Sequence, residues 1–289
     1  MSTVLFIDAN IYLRFYDSKS REMASLLKTL DQISKDIFIT TQIANEVTRN
    51  KLLCAYYSFK NYSVLPTFEK ASFPIQFKSP SIDNWNQKMN EMDSIKNRQD
   101  EIIKELLNDI SNSSDYVSVT LKTLFESAIT PSNDELSLAR FRKETGNPPG
   151  NNQDPLSDQI SWEQLLNKIK PSDNLIFITN DKDYYIKFKD KCYLNPLLVA
   201  DLVKMKFSLS QLYAYEKLVD GLEKYKEIQN PKIYFPNDTD AKRISEIEQT
   251  MINTATVCSS TITSGTSGYS GYSGISEYFD PLYRFLKKF

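Results

Sequence analysis

The sequence contains no histidine among its 289 residues. Without an imidazole group, the chain lacks the Ser-His-Asp and Cys-His nucleophile systems, the imidazole pair common in metal-free ribonucleases, and histidine-ligated zinc. Any chemistry must therefore run on carboxylates, hydroxyls, amines or a metal ion held by oxygen ligands.

Cysteine is also scarce. Cys54, Cys192 and Cys258 are scattered along the chain and show no C-x-x-C spacing. Neither a disulfide framework nor a cysteine-ligated zinc site is indicated by this pattern. We interpret the three residues as core thiols.

Long apolar runs and signal features are missing. No stretch of about 18 or more apolar residues occurs, and the first residues lack the basic region and cleavage site of a signal peptide. We expect a cytoplasmic protein that has no membrane partner.

The sequence has little net charge. Its 35 basic and 37 acidic residues give a formal charge of -2, which argues against nucleic-acid binding through bulk charge. A nucleic-acid substrate would require a local patch or a metal ion. With 40% hydrophobic residues the chain can bury a full-sized core, in one large or two modest domains.

The first candidate site follows a short apolar run. Residues 4–7 (Val-Leu-Phe-Ile) are too few for a typical helix and favour a strand buried on both faces, as in parallel sheets. Asp8 and Asn10 then lie at the carboxyl end of that strand, the edge at which open α/β sheets place ligands.

Alternating strand and helix patterns continue through the chain. Helical spacing covers 15–33, a strand is predicted within 36–41, and Thr40 or Thr41 can cap a helix that carries Glu46 toward residue 57. A third buried strand is predicted at 175–179. This order is typical of a parallel sheet with right-handed crossovers.

A helical insertion of about 60–140 separates the second and third strands. We predict a loop at 60–81, helices at 82–110 and 116–129, and a second loop at 140–158 that is rich in Pro, Gly and Asn. Ser157 can cap the next helix, which has Asp158 in its first turn and Trp162 on its apolar face. A short last strand at 191–194 and a helix at 196–205 follow.

The remaining sequence changes character after residue 205. We predict a helical extension over 206–258, with helices at 209–228 and 241–255, and then a flexible Ser/Gly/Tyr linker over 259–276. Residues 277–289 form an amphipathic segment that can dock on its own body, on a partner or on a second copy.

Several carboxylates are predicted to lie at the carboxyl edge of the sheet. They follow strands or begin helices, and they are Asp8, Glu46, Asp158, Asp181 and Asp183. Clustered carboxylates repel one another unless a cation neutralises them, and oxygen ligands without His or Cys select Mg²⁺ or Mn²⁺. Such a metal ion can activate water and stabilise charge on a phosphodiester.

These residues resemble the PIN-domain nucleases, in particular a longer PIN-like branch with a helical insertion. Four segments carry the resemblance. They are Phe-Ile-Asp-Ala-Asn at 6–10; residues 38–46, which end in Glu46; Pro-Pro-Gly at 148–150 together with Asp154 and residues 158–162; and Ile-Thr-Asn-Asp-Lys-Asp-Tyr at 178–184. Ser157 stands where that branch usually has glycine. The resemblance covers roughly residues 1–205.

The resemblance implies a three-layer α/β/α sandwich and metal-dependent cleavage of RNA, less often DNA. It also implies a setting such as toxin-antitoxin or antiphage defence, with a regulatory protein partner or a homo-oligomer. By this resemblance, Asp8, Glu46, Asp158 and Asp181 are the catalytic metal-site carboxylates.

Further residues are assigned lesser roles. Asp183 and Asp154 are second choices as metal-site carboxylates, and Asn10 and Thr179 are expected to orient ligands or water. Three basic residues are candidates for holding substrate phosphates: Arg140, Arg142 and Lys143.

Other interpretations remain open at this point. An Asp at a strand end is usually a turn or cap residue, and a charge run is usually a solvated face. The protein can also be an inactive PIN-like scaffold in an assembly. A dehalogenase-like phosphoryl enzyme is disfavoured, because that pattern places a second Asp where Asn10 stands.

Overall fold

The computed structural model describes residues 2–18, 20–60, 79–150, 156–189 and 191–254. Asp154, most of the predicted loop at 60–81, the predicted linker at 259–276 and the predicted terminal segment at 277–289 lie outside these ranges. The strands are β1 (Thr3–Ile7), β2 (Ile37–Phe38), β3 (Asn174–Ile178), β4 (Tyr185–Phe188), β5 (Lys191–Leu194) and β6 (Leu212–Tyr215).

Four of these strands form a parallel sheet in the order β2-β1-β3-β6 within the described residues. Ile7 of β1 is aligned with Ile178 of β3, and Ile178 is aligned with Tyr215 of β6, so the three strands end together. This confirms the predicted α/β class with a parallel sheet.

The fourth strand of the sheet is not the one that the sequence predicted. Residues 191–194 are indeed a strand, but β5 pairs antiparallel with β4 in a separate hairpin. The sheet is instead extended by β6, inside the segment 209–228 that was predicted to be helical. Short apolar runs fit both states, and pairing with β3 decides between them.

Ten α-helices occupy the described residues: α1 (Ala9–Asp17), α2 (Met23–Gln32), α3 (Thr41–Lys60), α4 (Pro80–Ser111), α5 (Tyr116–Phe125), α6 (Asn133–Glu144), α7 (Ser157–Lys168), α8 (Pro196–Lys204), α9 (Leu218–Gln229) and α10 (Asp238–Thr254). Within these ranges, every helix is too short or too polar to cross a membrane.

Two helix predictions were wrong in their boundaries. The segment 15–33 holds two helices, because Ser18 ends α1 in an extended conformation and its Oγ accepts a bond from the Ser20 amide. Residues 140–144 belong to α6 rather than to a loop. Ser132 and Glu135 form a capping box that starts this helix.

Helices cover both faces of the sheet. On one face, Phe6 stacks on Phe177 with ring centroids 4.4 Å apart, and Trp162 of α7 meets Phe177 edge-on. On the other face lies α9, where a β-carbon placed on Gly221 would overlap the Ile178 side chain. The result is the expected three-layer α/β/α sandwich, and its helical layer includes residues beyond 205.

Candidate metal centre

Asp8 lies where β1 ends and α1 begins. Its backbone N–H donates to the carbonyl of Ile178 at 3.0 Å, which continues the pairing of β1 with β3 by one residue. Its carboxylate accepts from the Ala9 amide at 2.7 Å and so caps α1. The side chain is buried. Both the sheet and the helix therefore fix the position of this carboxylate.

Asn10 and Thr179 hold the second oxygen of Asp8. Asn10 Nδ2 donates to Asp8 Oδ2 at 2.6 Å, and Thr179 Oγ1 donates to the same oxygen at 2.5 Å. The structure thus places both predicted supporting residues against Asp8. Asn10 Oδ1 is buried and has no hydrogen-bond partner among the described residues.

Thr179 also connects Asp8 to the closing motif, which is the segment 178–184 of the PIN resemblance. Its hydroxyl accepts from the backbone amide of Asp181 at 3.0 Å while it donates to Asp8. Asp181 Oδ1 in turn accepts from the Asp183 amide at 2.9 Å. The turn after β3 is therefore shaped by its own polar side chains and is tied to the end of β1.

Burial and neighbouring charge raise the pKa of Asp8 to about 7 from its ordinary value of 3.8. Burial is the largest cause, followed by the negative charge of Glu46 on α3, with a smaller contribution from Asp181. The sheet edge therefore brings these three acids into one another's fields, although Glu46 lies 38 positions after Asp8 and Asp181 follows a different strand.

Tyr184 lies in the field of all four predicted metal-site acids. Its ring is fully buried against Phe177, and its hydroxyl has no hydrogen-bond partner in the described part of the chain. Burial raises the pKa of this phenol well above its usual value, and the charges of Asp158, Asp8, Asp181 and Glu46 raise it further. Sequence reasoning noted only that an aromatic residue follows the last acids.

Asp158 occupies the first turn of α7, as predicted. The predicted cap was wrong, because Ser157 is itself helical, Leu156 holds the cap position, and no described side chain caps the helix. The field of Asp158 on Tyr184 places this helix start beside the ends of β1 and β3.

The three predicted phosphate ligands lie on α6. Arg142 is mostly enclosed, and its guanidinium donates to Glu163 and Asp201, both at 2.8–2.9 Å, and to the Pro148 carbonyl. Its charge therefore holds α6, α7 and α8 together, a role that the sequence did not indicate. Arg140 is exposed and Lys143 is half-buried. Phosphate binding by these residues stays a prediction.

The donor chemistry of the site fits a hard divalent cation. The acids supply oxygen ligands only. Burial is the main cause of the raised pKa of Asp8, and the charges of Glu46 and Asp181 add a repulsion that a cation would relieve. In the described residues, however, no three acidic or sulfur side chains are grouped closely enough to hold a metal ion as they stand. A cation would therefore have to draw these carboxylates together.

The fold and the site define an α/β protein in which Asp8, Glu46 and Asp181 influence one another's charge at the carboxyl edge of a parallel sheet. The sequence profile of the PIN like domain matches residues 4–191. The chain belongs to this family and thus to the PIN-domain nuclease superfamily. No curated protein and no solved structure matches the chain.

Proposed function

We propose that the protein is a metal-dependent endonuclease that hydrolyses phosphodiester bonds, with RNA favoured over DNA. The main support is the buried Asp8, whose pKa is raised by burial, Glu46 and Asp181 at the sheet edge of a PIN-like domain. A group of acids that destabilises its own ionised form is a common feature of functional sites. The absence of histidine leaves a metal ion as the natural source of activated water.

Asp8, Glu46, Asp158 and Asp181 would hold Mg²⁺ or Mn²⁺, with Asp183 as a further ligand. When bound, the cation would supply a nucleophilic water at neutral pH and neutralise charge on the phosphate. Two neighbouring side chains fix the orientation of Asp8. Asn10 and Thr179 donate to Asp8 Oδ2, so that this carboxylate keeps one orientation.

The preference for RNA comes from the resemblance to PIN-domain nucleases. On the same basis we propose a role such as a toxin or an antiphage defence effector under the control of a regulatory partner. These settings require that activity be restrained in the producing cell. The cytoplasmic location stays a prediction. With a net charge near zero, substrate binding has to come from a local surface patch or from the metal ion.

A second candidate is an inactive PIN-like scaffold subunit. One observation favours it, namely that no three described acids are grouped as a metal site. In this case Asp8 would act only as the cap of α1, and the long helix α4 would be a contact surface.

The test is cleavage of labelled single-stranded RNA and DNA with Mn²⁺, Mg²⁺ or a chelator. We compare the wild type with Asp8→Asn and use Asp31→Asn, at an exposed position of α2, as the matched control. Metal-dependent cleavage that survives Asp31→Asn and is lost with Asp8→Asn is expected. No cleavage under any condition, together with no heat of Mn²⁺ binding in calorimetry, would favour the scaffold.

A further inference from the structure

The hairpin β4-β5 presents an exposed face of mixed aromatic and basic character. Ile186 pairs with Tyr193, and Phe188 pairs with Lys191, so these four side chains share one face. Ile186 is 70% exposed, Phe188 66% and Tyr193 44%. Large apolar side chains grouped at such exposure are characteristic of binding surfaces rather than of an ordinary solvated face.

The opposite face of the hairpin anchors it to the sheet. Tyr185 and Leu194 are buried in the core. The Tyr185 hydroxyl donates to Glu216 Oε1 at 2.7 Å, and Lys187 pairs with the other oxygen of the same carboxylate. The exposed face is therefore carried by a structured element and does not need to be ordered when a ligand binds.

This anchor places the hairpin at the carboxylate edge. Glu216 directly follows β6, whose end is aligned with that of β3. The hairpin itself begins directly after the closing motif, because the Tyr184 amide donates to the Asp181 carbonyl at 3.3 Å and its carbonyl accepts from the Asn195 amide. The exposed face and the candidate metal centre thus lie at the same end of the sheet.

Two lysines are combined with the exposed rings. Lys189 Nζ lies 5.6 Å from the Phe188 ring centroid, and Lys191 Nζ lies 5.1 Å from that of Tyr193. Asp190 lies between them in the sequence, so the net positive charge of residues 188–191 is small. Flat rings bind unpaired bases by stacking, and ammonium groups beside them complement the phosphates.

We propose that the exposed face of the β4-β5 hairpin is a stacking platform for single-stranded nucleic acid, which it leads toward the carboxylate edge. The inference rests on the proposed nuclease function and specifies that its substrate is single-stranded. A duplex is disfavoured because its bases are already stacked on one another. The lysines among the rings, and the direct continuity with the metal centre, favour a nucleic acid over a protein as the occupant.

The test measures binding without cleavage. All proteins carry Asp8→Asn and contain the full chain, and the probe is a fluorescein-labelled single-stranded RNA in chelator, followed by fluorescence polarisation. We expect Phe188→Ala with Tyr193→Ala to weaken binding about tenfold or more, since stacking is sequence-tolerant but strong per base. Tyr116→Ala, at an equally exposed ring on α5, is the control and should leave binding unchanged.

Two further measurements separate stacking from charge. Phe188→Trp should retain binding, which excludes misfolding of the hairpin as the cause of a loss. An abasic strand of equal length should bind the unsubstituted hairpin about as weakly as the RNA binds the double variant. Lys189→Gln with Lys191→Gln should reduce the slope of log affinity against log salt by about 1.4, since each phosphate contact on a single strand contributes about 0.7.

Several outcomes would overturn the inference. These are no RNA binding by the unsubstituted hairpin, equal binding of RNA and abasic strand, or unchanged binding after removal of both rings. A dimer that dissociates on Phe188→Ala in sedimentation, with RNA binding unchanged, would make this face a protein contact instead. Cleavage by the wild type with unaltered binding by the ring variants would leave the nuclease intact and refute only the platform. Ring-dependent binding without any cleavage would refute the nuclease function and leave the platform intact.

Discussion

Glu248 Oε1 lies 2.9 Å from Arg14 Nη1, although 234 positions separate the two residues in the sequence. The carboxylate is fully buried on α10 and also accepts from the amides of Leu218 and Val219, which open α9. Arg14 belongs to α1, the helix that Asp8 caps. One acid of α10 therefore caps the amino terminus of α9 and fixes α1, the helix next to the candidate metal centre.

Removal of the Glu248 carboxylate should destabilise the whole domain. Glu248→Ala removes the carboxylate partner of the buried Arg14, whose guanidinium still donates to the Glu216 carbonyl, and it leaves two helix-start amides without their acceptor. We expect a loss of about 3–5 kcal/mol in the free energy of unfolding. Urea denaturation measures it. Glu246→Ala, at an exposed position of the same helix, should change stability by less than about 0.5 kcal/mol. A loss with Glu248→Ala as small as that with Glu246→Ala would show that the Glu248 contacts contribute little to stability.

Gly221 sets the distance between α9 and the sheet. A β-carbon there would overlap Ile178 Cδ1, so Gly221→Ala should cost about 1–3 kcal/mol. Ile178→Val removes that methyl group and should recover part of the loss in the double variant, as a double-mutant cycle would show. Strictly additive losses would contradict a direct clash between these two residues.

The raised pKa of Asp8 predicts that ionisation of this residue destabilises the fold. Between about pH 4 and pH 7 the folded state keeps a proton that the unfolded state has released, so this contribution to stability falls as the pH rises. Asp8→Asn cannot ionise. Its amide can donate to Asn10 once the Asn10 carboxamide turns over to present Oδ1, which has no hydrogen-bond partner among the described residues.

We therefore expect Asp8→Asn to be more stable than the wild type at pH 8 by about 1–3 kcal/mol, with the difference shrinking toward pH 4. Thermal melts in chelator across this range measure the effect. A difference that stays constant, or that grows as the pH falls, would mean that the carboxyl of Asp8 is not held in its neutral form.

Divalent cations should reverse this destabilisation. Mn²⁺ binds ionised carboxylates and only the folded state presents them together, so saturating Mn²⁺ at pH 8 should raise Tm by about 3–8 °C. The shift should be smaller at pH 6, where Asp8 holds its proton, and should vanish with chelator. Asp8→Asn should lose most of the shift, whereas Asp31→Asn should keep it. Equal shifts in both variants would place the cation elsewhere.

Much of the sheet edge could be predicted from the sequence. The position of an acid that follows an apolar run can be predicted from the local sequence, because a buried parallel strand must end where its apolar residues end. For this reason Asp8 and Asp181 were correctly placed at the ends of β1 and β3, and Asp158 in the first turn of α7. The proposed roles of these acids as metal ligands stay predictions.

Other features depended on contacts between distant segments. The four residues of β6 fit a helix or a strand equally well, and only pairing with β3 selects the strand. Arg142 was predicted to hold phosphate, yet it donates to Glu163 and Asp201. Tyr184 had no signal beyond its aromatic character.

The sequence by itself determined the chemistry available to this protein: an oxygen-only ligand set, no imidazole, and acids at the ends of buried strands. Local patterns suffice for this, since side-chain types and strand ends are properties of short segments. Only the tertiary structure decided which acids share a field, that Tyr184 lies among them, and that Arg14 is held by Glu248. Those relationships arise from packing between segments far apart in the chain, which no local pattern records.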